Sequence, residues 1–321
     1  MNHLSEHQQV LLKTYKEFLR FCKKNNLPFF AAYGTMIGAI RHHGFIPWDD
    51  DIDVFMFRKD YDRFVELRNS MEGDLYKIAD CKDGESPYPF AKFYTTEGTI
   101  WEYSQFPFII GPWIDVFPLD EGSMDDDYSN KVFAKFHNTM WKYRKAIAYA
   151  SWGDISSDFL HLDMMEGTMK LIKKLRYAPF KKKYIREIDL IWDEIRAIKS
   201  STLRGYSIAL STEVFSKSWF KEAIEVPFED TVMTVPIGYH ECLTYLFGNY
   251  MKLPPEDKRV GHQVYFMDLK HTLTRDEILR NHKEDLAQKN SMPLKVIIDE
   301  LFHRASGWPR PQHRKNKADN E

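Results

Sequence analysis

The chain is poor in cysteine, has no long apolar run, and carries no excess of charge of either sign. Its three cysteines, Cys22, Cys81 and Cys242, are odd in number and far apart, with no C-x-x-C pair. That excludes a disulfide scaffold and points to free thiols in a reducing compartment. No window approaches the ~20 apolar residues of a membrane span, and the opening MNHLSEHQQVLLKTY lacks the basic-then-apolar profile of a secretory signal. A soluble cytoplasmic protein is expected. Lys+Arg number 45 against 47 Asp+Glu, so a polyanionic partner would need a local patch, and no nucleic acid is expected. Several catalytic signatures are missing as well. There is no G-x-S-x-G elbow, no Walker G-x-x-x-x-G-K-[ST] and no G-x-G-x-x-G; the His and Cys spacings fit no zinc template, and His42 and His43 are neighbours pointing in different directions.

What is present is a globular composition. The 321 residues are 43% hydrophobic and 15% aromatic, enough for one large domain or a core with a subdomain. Ser5 and Gln8 make a capping box, and Leu11, Tyr15, Phe18 and Cys22 recur at helical spacing behind it. Phe29–Tyr33 reads as a strand that breaks at Gly34-Thr35, Met36–Arg41 as a short helix, and Ile52–Met56 as a second strand. Lys59–Met71 reads as a helix. Extended runs are expected near Phe90–Tyr94, Thr99–Tyr103 and Trp113–Pro118, with the rest of Glu72–Gly98 mostly loop. From Met124 to Ser201 the pattern is helical, in Asp125–Ala150, Phe159–Leu175 and Ile185–Lys199. Ser207–Val214 and Val232–Ile237 read as extended, His240–Phe247 and Arg275–Arg304 as helices. The divisions expected are a core over 1–123, a helical insertion over 124–205, a part completing the core and substrate pocket over 206–306, and a disordered tail over 307–321.

The chemistry is densest in Phe30–Met56, FAAYGTMIGAIRHHGFIPWDDDIDVFM. A strand ending in a glycine turn at a helix start offers backbone N–H groups to an anion, although a plain strand-to-helix turn looks the same. On an extended backbone Asp51 and Asp53 share one face at roughly 7 Å, Asp49 can reach that side, and Asp50 turns away. Crowded carboxylates need a compensating cation. A calcium loop is excluded, because its required glycine falls on Val54 and its bidentate glutamate on Asp60. Asp115 interrupts an apolar strand and so requires a cation or a basic partner, which makes it the third metal carboxylate. Lys92, set among aromatics, either snorkels to solvent or binds phosphate. The turn-rich Gly248–Pro255, followed by Lys258, Arg259 and His262, has the character of a substrate-holding loop or a rigid linker. The basic segment 170–183, interleaved with Leu171, Ile172, Leu175, Tyr177 and Phe180, is either a solvated helix face or a contact for an anionic membrane. A phosphate-cradling turn with strand-borne carboxylates is the combination that metal-dependent phosphoryl or nucleotidyl transfer requires.

The run YGTMIGAIRHHGFIPWDDDIDVFM resembles the signature of the LicD family, shared with the fukutin-type proteins. WIDVFP at Trp113–Pro118 and GNYMKLPP at Gly248–Pro255 fall where that family has similar segments. The resemblance implies an α+β fold with a polymerase-β-like nucleotidyltransferase core, a mixed β-sheet and a helical insertion. It also implies transfer of phosphocholine, ribitol phosphate or glycerol phosphate from a CDP-activated donor to a sugar hydroxyl of a cell-surface glycan. Mg²⁺, with Mn²⁺ as an alternative, would sit on Asp51, Asp53 and Asp115, the first two matching the family's metal-binding aspartates. Gly34, Thr35 and Gly38 match its glycine turn, and Arg41 lies within the matched motif as a donor-phosphate contact. Lys92 and Arg259 join that set on charge and position alone. Alternatives are a nucleotidyltransferase placing a nucleoside monophosphate on a small acceptor, or a non-catalytic glycan-binding protein.

Overall fold

The computed structural model describes residues 4–71, 73–84, 86–149, 164–206, 212–282 and 286. The chain is α+β. Helix α1 (Glu6–Asn25) opens on the expected capping box, with Gln8 N–H donating to Ser5 Oγ (3.1 Å) and Ser5 N–H to Gln8 Oε1 (3.0 Å). Its Leu11, Tyr15, Phe18 and Cys22 form the buried face. Asn26 ends it in the left-handed conformation at φ 51°.

A seven-stranded mixed sheet holds the core. Its main path runs β1 (Phe30–Ala31), β2 (Asp53–Phe57), β7 (Trp113–Glu121), β4 (Ala91–Thr95), β3 (Tyr76–Ala79), while β8 (Thr202–Tyr206) pairs with β7 and with β9 (Thr212–Ser216). β2 and β7 are parallel and the remaining pairs antiparallel. Two smaller sheets flank it. One joins β10 (Ala223–Phe228) to β11 (Thr231–Pro236), and the other joins β12 (Phe266–Asp268), β5 (Thr99–Trp101) and β6 (Ile109–Ile110).

β7 is the longest strand and changes partner midway. Trp113–Val116 pair with β4, and Leu119–Glu121 pair with β8. Asp115 N–H donates to Ile52 O of the segment entering β2 (2.8 Å). Alternation then aims the nitrogen of Pro118 at the other side, where β4 has ended and β8 has not begun. Pro118 lacks a donor where none is needed.

Helices α2 (Tyr33–Ile37), with a π-helical turn over Gly38–His42, and α3 (Arg58–Glu66) flank β2. Beyond β7, α4 (Asp127–Ala148), α5 (Met164–Tyr177) and α6 (Lys181–Ala197) form a layer, with α6 against both α4 and β7. Asp126 caps α4 by accepting from Tyr128 and Ser129 N–H. Helices α7 (Tyr239–Phe247) and α8 (Arg275–Asn281) complete the described elements.

Several expected boundaries move. The strand read over Phe29–Tyr33 is two residues long, because Tyr33 already begins α2, and the helix read over Lys59–Met71 becomes α3 plus a 3₁₀ turn at Leu67–Ser70. β3 lies inside the stretch read as loop, and β8 begins immediately after the helical section. The start of the helix read from Phe159, most of the helix read over Arg275–Arg304, and the tail lie outside the described residues.

Candidate active site

The acidic residues gather where the chain enters β2. Register places Asp53, the first residue of β2, opposite Asp115 on β7, and Asp115 opposite Lys92 on β4. One row across three neighbouring strands thus reads acid, acid, base. Asp53 is held by its backbone: its N–H donates to Thr35 Oγ1 (2.9 Å), and its carbonyl accepts from Ala32 N–H (2.9 Å). The first turn of α2 is thereby fastened to the strand that carries the acid.

Asp49, Asp50 and Asp51 precede the strand rather than belonging to it. The segment is shaped by a turn in which Asp49 N–H donates to Ile46 O (2.9 Å), and Gln8 Nε2 of α1 donates to the Asp49 carbonyl (2.9 Å). Two expectations change here. Asp51 does not share strand alternation with Asp53, since β2 starts only at Asp53. Asp50 is not turned away either: Asp49, Asp50, Asp51 and His262 each offer a ligand atom, all within 4.8 Å of one another. The turn-shaped backbone removes the period of two on which the earlier assignment rested.

His262 arrives from the loop after α7. Its N–H donates to Asp50 Oδ2 (2.7 Å), and its Nδ1 lies 2.6 Å from Asp50 Oδ1 and 3.4 Å from Asp51 Oδ2. Asp51 first, then Asp50, push the imidazole up to about 10, so it is an imidazolium at neutral pH. Asp49, Asp51 and Asp53 are raised chiefly by desolvation, with neighbouring carboxylates adding to the rise at each and His262 opposing it. Asp115 is raised to about 6 by desolvation, against the opposing pull of Lys92.

Lys92 does not reach solvent; it is 1% exposed. Its ammonium donates to Asp115 Oδ1 (2.7 Å), lies 4.0 Å from Glu102, and sits over the rings of Trp113 (4.0 Å), Tyr88 (4.3 Å) and Phe90 (5.5 Å). Trp113 Nε1 donates to the other Asp115 oxygen (3.2 Å), and Tyr88 donates its hydroxyl to Glu102. The aromatic box beside the acids is therefore filled by the chain's own cation.

The remaining candidates spread around this centre. Gly34 runs so close to Asp49 that a Cβ would lie 2.9 Å from its Oδ2. Gly38 faces backbone, where a Cβ would meet the Gly44 carbonyl at 2.6 Å, so its place is a close helix-to-loop approach. Arg41 Nη1 donates to the Tyr250 carbonyl (2.5 Å) and ties α2 to the Gly248–Pro255 loop. Arg259 Nε donates to the Pro254 carbonyl (2.9 Å), and its guanidinium lies 5.5 Å over the Trp48 ring, next to Asp49. Sequence reasoning left out Asp50 and His262 as site residues, and Glu102 altogether; His262 had been noted only as following the proline-rich loop.

Five carboxylates, Asp49, Asp50, Asp51, Asp53 and Asp115, thus couple electrostatically around the two cations His262 and Lys92. Such an oxygen-rich set with surplus negative charge fits a hard divalent cation. The arrangement defines an α+β protein whose mixed sheet presents an acidic, cation-seeking centre beside a glycine turn. The LicD/FKTN/FKRP nucleotidyltransferase-domain profile matches residues 26–151, which hold all five carboxylates. Over 269 residues the chain is 30% identical to the lipopolysaccharide cholinephosphotransferase LicD of Haemophilus influenzae, a match covering 81% of this chain and 96% of that protein. Shorter matches join it to uncharacterized proteins of Rickettsia typhi (35% over 68 residues, 21% of this chain and 22% of that protein) and Rickettsia prowazekii (38% over 69 residues, 22% and 26%). The chain belongs to the LicD family.

Proposed function

We propose that this protein transfers a phosphorylated alcohol, phosphocholine foremost, from a CDP-activated donor to a sugar hydroxyl of a cell-surface glycan, with release of CMP. The observation that carries the reading is the register row Asp53–Asp115–Lys92, closed on one side by Asp49–Asp51 and His262, in a chain whose 30% identity spans 96% of a cholinephosphotransferase. Asp51, Asp53 and Asp115 would hold Mg²⁺ or Mn²⁺, which supplies charge neutralisation at the donor phosphates.

The chain's own groups account for the rest. Asp53 has no ion pair among the described residues, so its carboxylate would be open to accept the proton of the attacking hydroxyl as oxygen bonds to phosphorus. The phosphorus–oxygen bond to CMP then breaks, and the cytidylate leaves as the anion. Lys92 holds Asp115 ionised and fixed, since an unpaired carboxylate at that depth would take up a proton instead. Arg41, half-buried and bonded to the Gly248–Pro255 loop, and Arg259, over Trp48, would meet the donor diphosphate.

Incubation with CDP-choline, CDP-ribitol, CDP-glycerol or CTP in the presence of Mg²⁺ and a glycan acceptor tests this. CMP formed from CDP-choline, and lost with a chelator, supports the reading. Pyrophosphate formed from CTP would replace it with nucleotidyl transfer.

A further inference from the structure

Helix α5 is apolar on the side turned away from the protein. It packs on α4, and its Gly167 and Lys174 are buried. The outward side carries Met164, Met165, Met169, Ile172 and Leu175, all exposed, Met165 at 80% and Leu175 at 62%. At 3.6 residues per turn these five fall within one arc of less than half the circumference. A surface helix ordinarily shows water its polar face. This one shows a largely apolar stripe, broken only by Thr168 and Arg176, of a kind that marks an interaction site.

The setting of the stripe says what it meets. Arg176 projects from within it and Lys173 from its edge, and the chain leaving the helix adds exposed Phe180, Lys182 and Lys183. Apolar side chains ringed by lysine match a surface that is oily beneath and negatively charged above. Lysine is depleted where proteins meet one another, and the stripe itself carries no aromatic anchor. Methionine, unbranched and flexible, suits a fluid partner. Among the described residues no helix is long and apolar enough to cross a membrane, and α5, with 14 residues, spans about 21 Å, shorter than a bilayer core. Contact is therefore in the plane of the surface.

We propose that the outward face of α5, with Lys182 and Lys183, is a docking surface for an anionic lipid bilayer. The stripe enters the headgroup boundary, and the bases pair with lipid phosphates. This surface stands apart from the acidic centre, so its test does not depend on the reaction.

The full chain is floated with vesicles of phosphatidylcholine alone, or of phosphatidylcholine mixed with phosphatidylglycerol. It is expected to float with the mixed vesicles and to stay behind with the neutral ones. Met169→Glu with Ile172→Glu should cut recovery about tenfold or more, and Lys182→Glu with Lys183→Glu should do so by about tenfold at low salt, converging with wild type at high salt. Circular dichroism and melting temperature should stay as in wild type, because all four side chains face water. Failure of the wild type to float with anionic vesicles overturns the proposal, as does equal flotation of the Met169→Glu, Ile172→Glu variant. A dimer that this variant disperses, without lipid binding by the wild type, would assign the face to a second copy and overturn it too.

Discussion

Strand β7 carries two buried aspartates five residues apart, Asp115 and Asp120, and their surroundings could hardly differ more. Asp120 is met by a two-pronged guanidinium: Arg58 Nε and Nη2 donate to its two oxygens at 2.7 and 2.5 Å. That guanidinium lies over Tyr61 and Trp192, and Asp62 links it to Arg196. Two acids face two arginines, and the charge closes on itself. Around Asp115 two cations, Lys92 and His262, serve a neighbourhood of five carboxylates, and the excess is negative. Burial alone does not mark an aspartate as functional. What separates the two is whether the local charges cancel.

Four experiments press on that contrast. Asp53→Asn, at the unbalanced end, should lower CMP release about a thousandfold while leaving the melting temperature unchanged or higher, since a buried like charge is removed. Asp120→Asn should do the reverse, costing about 3–5 kcal/mol of stability because Arg58 is left buried and unpaired, with turnover per folded molecule retained. If Asp53→Asn unfolds the chain, or Asp120→Asn abolishes turnover in folded protein, the contrast fails.

Lys92→Met should cost about 3 kcal/mol in chemical denaturation, and adding Asp115→Asn should recover part of it, because the second change removes the orphaned charge. No recovery would mean that Lys92 acts through its packing on Trp113 and Tyr88 instead.

Mg²⁺ or Mn²⁺ at a hundred times its Kd should raise unfolding stability by about 2.7 kcal/mol in wild type and in Asp120→Asn, and by little in Asp51→Asn with Asp53→Asn. Calorimetry with and without the ion reads this directly. An equal gain in the double variant would move the ion away from these acids.

The smallest effect is a pH dependence. His137 of α4, beside Arg144 and Arg204, is lowered to about 4, first by desolvation and then by those cations. Its folded-state value lies below the unfolded 6.5, so between pH 6.5 and 4 the unfolded chain binds the extra proton. The contribution of His137 is complete above pH 6.5 and fades as pH falls toward 4. His137→Gln should flatten that part of the stability profile by up to about 1.4 kcal/mol per pH unit; an unchanged slope would clear His137 of the role.

The sequence carried the local parts of this picture and missed the distant ones. The capping box at Ser5 and Gln8, the Phe30–Met56 cluster, and the lone acid in Trp113–Pro118 were all legible, because each is written in adjacent residues. Asp50 was misjudged because strand alternation was extended backward over a turn. His262 was missed as its partner because 212 residues separate the two, and no local pattern announces such a pairing. Asp120 went unseen for a different reason. Pro118 reads as the end of a strand, whereas β7 runs through it to Glu121. β3 and β10 are short segments of mixed polarity, β10 with a single fully buried residue, and only their partners make them strands.

The partner change at Pro118 has a bearing on how such a chain can vary. Everything between Glu121 and Thr202 leaves the sheet from one end of β7 and returns to the same end, on the far side of the proline from the acidic row. An excursion closed this way behaves as a large loop with fixed feet. A change of length in the connections between its helices costs only the slow logarithmic penalty of loop closure, about 0.6 kcal/mol per doubling, while α4 and α6 keep their packing on the core. The connections within the helical layer are thus free to be rebuilt for new surroundings, while the proline acts as a firebreak between their end of β7 and the acidic row.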